Sequence, residues 1–338
     1  MKAFRKVSIF SFVAVFVVLF VLSSSSIFTF AYSSNNTSNP ITVLAKNQSP
    51  SGIQLSGGYV YWINAGTQIS RVSESGGTVQ SILNSSDIDS FAISGNFLYW
   101  STYTAPNYLN KTDLLNHKTS VLCTSNTNEY CSYVNSLQVA GNYVFFDTFL
   151  GVYRIDNNGS DLIVLTPSNL EACPTGIALS AGYAYWPNCG GQAGKVSFSG
   201  KKAQYLGPDL CPSECDVVWL SGVHSITVAN SYVYWTYNVV YSNDSTFHLV
   251  NSVSMNGNHF KTLFEGKGSS GFLTSVAYYN GSVIFSYFTR SFVTGKIYSV
   301  PATGGKPTVL ANRAAIDSEV SGSYLYFSTN SQIDKLAL

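Results

Sequence analysis

Apolar and polar positions alternate at period two in short runs along most of this chain, the pattern of half-buried strands. One run recurs. It reads Tyr59-Val60-Tyr61-Trp62, Phe97-Leu98-Tyr99-Trp100, Tyr143-Val144-Phe145-Phe146, Tyr183-Ala184-Tyr185-Trp186, Tyr232-Val233-Tyr234-Trp235, Ser282-Val283-Ile284-Phe285 and Tyr324-Leu325-Tyr326-Phe327. Gaps between its third residues are 38, 46, 40, 49, 50 and 42. A four-stranded propeller blade repeats at ~40–50 residues. Helical solenoids of similar period are excluded, because the phrase alternates at period two and is rich in Val, Tyr, Trp and Phe.

Each period predicts four strands, a to d. In the first they are 52–56, 58–63, 67–73 and 78–83. Turns a–b are Gly/Asn pairs such as Gly57-Gly58, Gly95-Asn96 and Asn280-Gly281. Turns c–d carry Gly76-Gly77, Asn158-Gly159, Asn256-Gly257 and Gly304-Gly305. Such pairs supply the positive φ of tight hairpins. Strand c has its own signature in Ile69-Ser70-Arg71-Val72, Val152-Tyr153-Arg154-Ile155 and Ile333-Asp334-Lys335-Leu336.

The seventh period stops after strand c. Its missing strand stands at the other end: Ile41-Thr42-Val43-Leu44-Ala45 nearly repeats Pro307-Thr308-Val309-Leu310-Ala311. The expected fold is therefore all-β, a seven-bladed propeller of four-stranded blades over residues 40–338, closed by strand 41–45 completing the last blade. Radial closure protects strand edges. The aromatic residues of the phrase read as sheet core.

Residues 1–31 read as a targeting segment. Lys2, Arg5 and Lys6 precede an apolar run, 7–22, broken only by Ser8 and Ser11. Signal peptide and retained membrane anchor both remain open, the first preferred. Residues 32–39 form a polar stalk. The expected location is secreted, or anchored at the outer face of the cytoplasmic membrane. Six cysteines fit export. Local pairing gives Cys123–Cys131, Cys173–Cys189 and Cys211–Cys215 as the expected disulfides. No Cys-x-x-Cys is present, so no metal and no cofactor is expected. Asn-x-Ser/Thr sequons stand at Asn35, Asn36, Asn47, Asn84, Asn110, Asn158, Asn243 and Asn280, relevant only where exported chains are glycosylated.

Only 10% of residues are charged and the net charge is +1, against an ordinary ~25%. No basic stripe is visible along the sequence, which argues against nucleic acid and against polyanion binding by bulk charge. A carboxylate-poor fold also suits an acidic exterior.

Strand polarity sorts the connections. The a–b and c–d turns share one face and are short. Loops b–c and d–a share the other, which holds the long insertions 101–108, 124–135, 166–176, 187–194, 208–225, 236–247, 266–274 and 286–295, with all six cysteines in or beside them. Long loops on a rigid scaffold are the usual seat of function. Ligand-binding candidates there are Trp219, Tyr103, Tyr130, Tyr237, Tyr241, His224 and Arg290. Trp219 is the only Trp outside the phrase; its other reading is a plug beside the Cys211–Cys215 loop. No Gly-x-Ser-x-Gly, His-Glu-x-x-His, P-loop or EF-hand motif occurs, and no catalytic residue is assigned. The expectation is a binding module whose partner is a surface glycan or an extracellular protein, with the membrane met only through the N-terminal segment. Two rivals stand: a hydrolase or lyase using carboxylates with His224 or His248 around the central channel, and a structural surface protein.

The unit Gly-Gly-Tyr-Val-Tyr-Trp, Ile-Ser-Arg-Val, Gly-Gly-Thr-Val resembles the YWTD-type propeller repeats of extracellular receptors, and more closely the exported propeller-repeat proteins of prokaryotes. The Asp that follows Tyr-Trp-Thr in the receptors is absent, with Asn64, Tyr103, Asn188 or Tyr237 near that place. Those receptor propellers have six blades, so their partners are not implied here.

Overall fold

The structure, a computed structural model, describes residues 39–166, 174–210, 217–219, 225–241, 246–267, 271–289 and 294–338. For 217–219, 240, 241 and 267 it describes the backbone alone. Seven antiparallel sheets form the ring. Blade 1 consists of Pro50–Ser56, Tyr59–Asn64, Gln68–Ser73 and Gln80–Asn84, from the innermost strand a to the outermost strand d. The phrase is strand b in every blade. Its fourth residue is fully buried where it is Trp62, Trp186 or Trp235. Each such ring faces the preceding blade: Trp62 packs with Tyr326 and Ile333 of blade 7. The space it needs comes from small partners. Opposite Trp186 stands Gly194, where a Cβ would lie 2.0 Å from the indole.

Ring closure follows the sequence. Ile41–Lys46 pairs antiparallel with Gln332–Ala337 and becomes strand d of blade 7. Its Leu44 and Ala45 enter the core shared with Val60 and Trp62 of blade 1. One strand thus joins both ends of the chain and the first blade.

Three features depart from the expectations. In loops 236–247 and 286–295 every described residue but Thr294 is strand. Tyr232–Tyr241 pairs with Thr246–Ser254, and Ser282–Thr289 with Gly295–Pro301. The period-two alternation simply continues through Tyr237-Asn238-Val239, so the ladder does too. Insertion 208–225 contains Val217–Trp219, a fifth strand paired with the extended end of blade 5. Finally, the first aromatic of the phrase is not core in three blades: Phe97, Tyr183 and Tyr324 are 36–40% exposed at the face of the short turns, whereas Tyr59, Tyr143 and Tyr232 pack against the core. Among the sequons, Asn110 is buried on strand c of blade 2, whereas Asn47, Asn84, Asn158 and Asn280 are exposed.

Closure by the N-terminal strand predicts a large penalty for loosening it. Leu44→Ala should cost ~2–5 kcal/mol in urea-induced unfolding followed by Trp fluorescence. A loss below ~0.5 kcal/mol would mean the strand is not integral to the ring.

Candidate functional site

Strand a of each blade lines the central channel, a cavity of about 720 Å3. Asp89, Asp317 and Glu319 face it, with no Lys, Arg or His among the lining residues. Two of these carboxylates are engaged in blade contacts. Asp317 accepts the amide of Ile53 at 2.9 Å and Glu319 that of Leu55 at 2.7 Å, so blade 7 satisfies the inner edge of blade 1. Gln54 does the same for blade 2, donating to the Phe91 carbonyl and accepting from Ile93. Asp147 lies fully buried behind the channel, bonded to Ser136 and Asn135. It occupies a recurrent position: Ser101, Thr236 and Ser328, also just after the phrase, accept from amides at the start of strand a. The sequence offered this signal, a hydroxyl or Asp after the phrase, and it marks buried acceptors behind the channel-lining strands rather than loop ligands.

Burial leaves its mark on these acids. Desolvation raises Asp89 to about 6, with the negative charge of Asp87 adding to it. It raises Asp147 to about 7 against the hydrogen bonds from Ser136 and Asn135. Asp317 rises to about 6 and Glu319 to about 7, again through burial; the charges of Asp317 and Glu74 push Glu319 further.

Among the described residues, the long-loop face exposes aromatic and apolar side chains on blades 2 and 3. Cys123 and Cys131 form a disulfide that closes the loop between these blades. Tyr103, 41% exposed, meets Tyr133, 52% exposed, edge to face with centroids 5.6 Å apart. Phe149 and Leu150, each 65% exposed, form the b–c turn of blade 3. Asn135 is held to Asp147 by a backbone bond, which brings Tyr133 and Phe149 to the same rim. Beside Tyr103 a groove of about 450 Å3 runs along the outer part of blade 2, lined by Trp100, Ala105, Pro106, Tyr108, Val121 and Asp87 among others. Its outer wall is strand d, Thr119–Thr124, hydrogen-bonded to a neighbour on one side only, with Val121 53% exposed.

The expected ligand residues scatter. Tyr103 is on this rim. Tyr130 is half-buried and stacks on Tyr153 at 5.1 Å, supporting the stapled loop from beneath. Tyr237 is only 1% exposed, and its hydroxyl donates to the Cys189 carbonyl at 3.1 Å, so it braces blades 4 and 5 instead of meeting a ligand. Trp219 and Tyr241 lie on the paired fifth strand and its partner, with side chains outside the described residues. His224 and Arg290 also fall outside, as do Cys173, Cys211 and Cys215. Cys189 is disulfide-bonded. His248 of the rival reading is buried at 2% exposure on strand c of blade 5, its Nδ1 3.0 Å from Asn238 Oδ1, and is not among the channel-lining residues. Phe149, Leu150 and the channel acids Asp89, Asp317 and Glu319 were not singled out from sequence. Two apolar residues in a two-residue turn are the signal that could have found the first pair.

No protein-family model and no curated protein sequence matches the chain. Solved structures do. The extracellular domain of the putative one-component system BT4673 from B. thetaiotaomicron superposes with a TM-score of 0.64 at 12% identity, over 89% of this chain and 40% of that one. YCF48, solved bound to D1 peptide, gives 0.62 at 10% identity over 90% and 98%. PorZ, a bacterial surface component of the type-IX secretion system of Porphyromonas gingivalis, gives 0.56 at 11% over 88% and 38%. At such identities the likeness is one of fold, the β-propeller.

The channel acids set a pH dependence with a definite sign. Their folded-state values lie above the unfolded ~4, so the fold binds protons more tightly than the unfolded chain. The stability they contribute is complete below pH ~4 and is lost as pH rises through 6 to 7. Scanning calorimetry should give a melting temperature a few degrees higher at pH ~5 than at pH ~8. Glu319→Gln, which keeps an acceptor for the Leu55 amide, should shrink that difference; a melting temperature that falls on acidification would sink the assignment.

Proposed function

We propose that this chain is an extracytoplasmic interaction propeller that binds a protein partner on blades 2 and 3 of its long-loop face. The observation that carries the reading is the groove beside the Tyr103–Tyr133 pair. It combines an apolar floor, exposed aromatic flanks and a strand edge with one side unpaired. An extended segment can add its backbone to such an edge while its alternate side chains drop into the groove. Aromatic side chains provide contact area at low entropy cost. The Cys123–Cys131 staple restrains the neighbouring loop and reduces what ordering it on binding would cost. Disulfides persist in oxidising compartments, and BT4673 and PorZ are themselves an extracellular domain and a surface component; both support location outside the cytoplasm. YCF48 was solved with a peptide, which supports a peptide-like ligand for this fold. A surface glycan is the second reading, because Asp87, Thr102, Thr104 and Asn110 also line the groove and could meet sugar hydroxyls.

Peptides selected from a random display library on the full chain test this. Selected binders should carry apolar residues at alternate positions. Val121→Asp, which puts a charge in the groove wall, and Tyr133→Ala should each weaken them by about tenfold or more. Equal binding by both variants would refute the site. Retention of surface polysaccharides, with no peptide selected, would turn the reading to a glycan.

A further inference from the structure

The opposite face carries a different chemistry. Strand c of five blades ends in a cation laid over the first aromatic of the phrase. Arg71 stands over Tyr59, Lys111 over Phe97, Arg154 over Tyr143, Lys195 over Tyr183 and Lys335 over Tyr324, all within 3.8–4.2 Å of the ring centroid. Five further lysines, Lys118, Lys201, Lys202, Lys261 and Lys306, lie in or beside the c–d turns and are exposed. The described carboxylates of that face are Glu74, Asp113, Asp156 and Asp161. Ten cations against four anions leave six positive charges on one face of a chain whose net charge is +1. The sequence hides this, because the cations recur once per blade and are far apart in the chain.

That face is also flat and aromatic. Its a–b turns are two residues each. Phe97, Tyr183 and Tyr324 are 36–40% exposed, and Leu115 in the c–d turn of blade 2 is 74% exposed. Cations mixed with half-exposed aromatic rings suit the boundary of an anionic bilayer: basic residues are drawn to acidic headgroups and aromatic rings settle at the interface. A second, independent observation concerns the chain path. Strand Ile41–Lys46 starts beside Leu336, at the end of strand c, and Asn39 is tied to the Ala337 carbonyl at 2.8 Å. The polypeptide therefore reaches the propeller on this face. In sequence, the seven residues 32–38 separate this point from the targeting segment, with its apolar run and Lys2, Arg5 and Lys6.

We infer that the short-turn face docks on an anionic lipid surface. The exposed Lys118, Lys201, Lys202, Lys261 and Lys306 and the half-exposed aromatic side chains make the contact, the part-buried cations of strands c add their charge from behind, and the long-loop face is left pointing outward. The positive charges are spread around a circle on a flat disc, which matches a planar surface of diffuse charge better than a linear polyanion lying in a groove.

Flotation of the full chain with phosphatidylcholine vesicles, with and without ~25% phosphatidylglycerol, reads this directly. The leader contributes equally in every variant, so the quantity of interest is the extra binding due to phosphatidylglycerol. At ~0.05 M salt that excess should be clear, and at ~0.5 M it should be largely screened. The combined variant K118Q/K201Q/K202Q/K306Q should lose at least about tenfold of the excess, each such charge being worth about fivefold. K46Q/K296Q, on the opposite face, should keep it. Melting temperatures equal to the parent's establish that both variants are folded. An excess unchanged in the fourfold variant overturns the proposal. So does retention on a soluble polyanion such as polyglutamate without any gain from phosphatidylglycerol.

Discussion

The blades hold to one another through side chains that cross from one sheet to a backbone atom of the next. Lys111 reaches the Asn157 carbonyl, Arg154 that of Phe198, Lys195 that of Met255 and Lys335 that of Glu74. Blade 5 has Ser252 where the cation should be. Its partner on strand d, Lys261, supplies the charge instead and reaches Thr303 of blade 6. At the inner edge Asp317, Glu319 and Gln54, and from strand b Asn238, perform the complementary task, binding amides and carbonyls of the neighbouring strand a. A propeller sheet leaves these groups unpaired by construction, and burying them unmet would cost more than any single bond gains. Few charges are available in this chain, and a large share of those described is spent here.

Because strand polarity repeats, the crossing bonds sort by charge. Cations sit at the ends of strands c, where carbonyls of the next turn point outward. Carboxylates and amides sit on strands a, where amide hydrogens need acceptors. The separation of a basic short-turn face from an acidic channel therefore follows from what holds the ring together. It is a consequence of assembly that is then open to use by a ligand or a surface.

The fold was legible in the sequence because its signals are local. A phrase at fixed period, Gly/Asn turns and the duplicated Thr-Val-Leu-Ala of strand d identify seven blades and their closure without any long-range information. The site was less legible, because it depends on which residues meet across blades. Tyr103 and Tyr237 look alike as loop aromatics in sequence. One stands on an open rim. The other is drawn into the core because strand b of blade 5 continues past it. Asp147 stands directly after the phrase, and that place makes it a buried acceptor. Asp89, Asp317 and Glu319 gave no local sign of sharing a channel, since about 230 residues separate the first from the last.

The low content of charge takes on a different meaning in three dimensions. On composition alone it suggested a chain indifferent to acid. The acids actually present are held where desolvation favours their neutral form, so the fold tends to accept protons as it assembles. Acidification then has two effects of the same direction. It relieves repulsion between Asp317 and Glu319 across the inner edge of blade 7, and it removes negative charge from the channel side without touching the cations opposite. The electrical asymmetry of the disc changes from one balanced by the channel acids to one dominated by the basic face. For a protein whose cations and aromatic rings meet an anionic surface, the same protonation that tightens the ring would also strengthen its attachment.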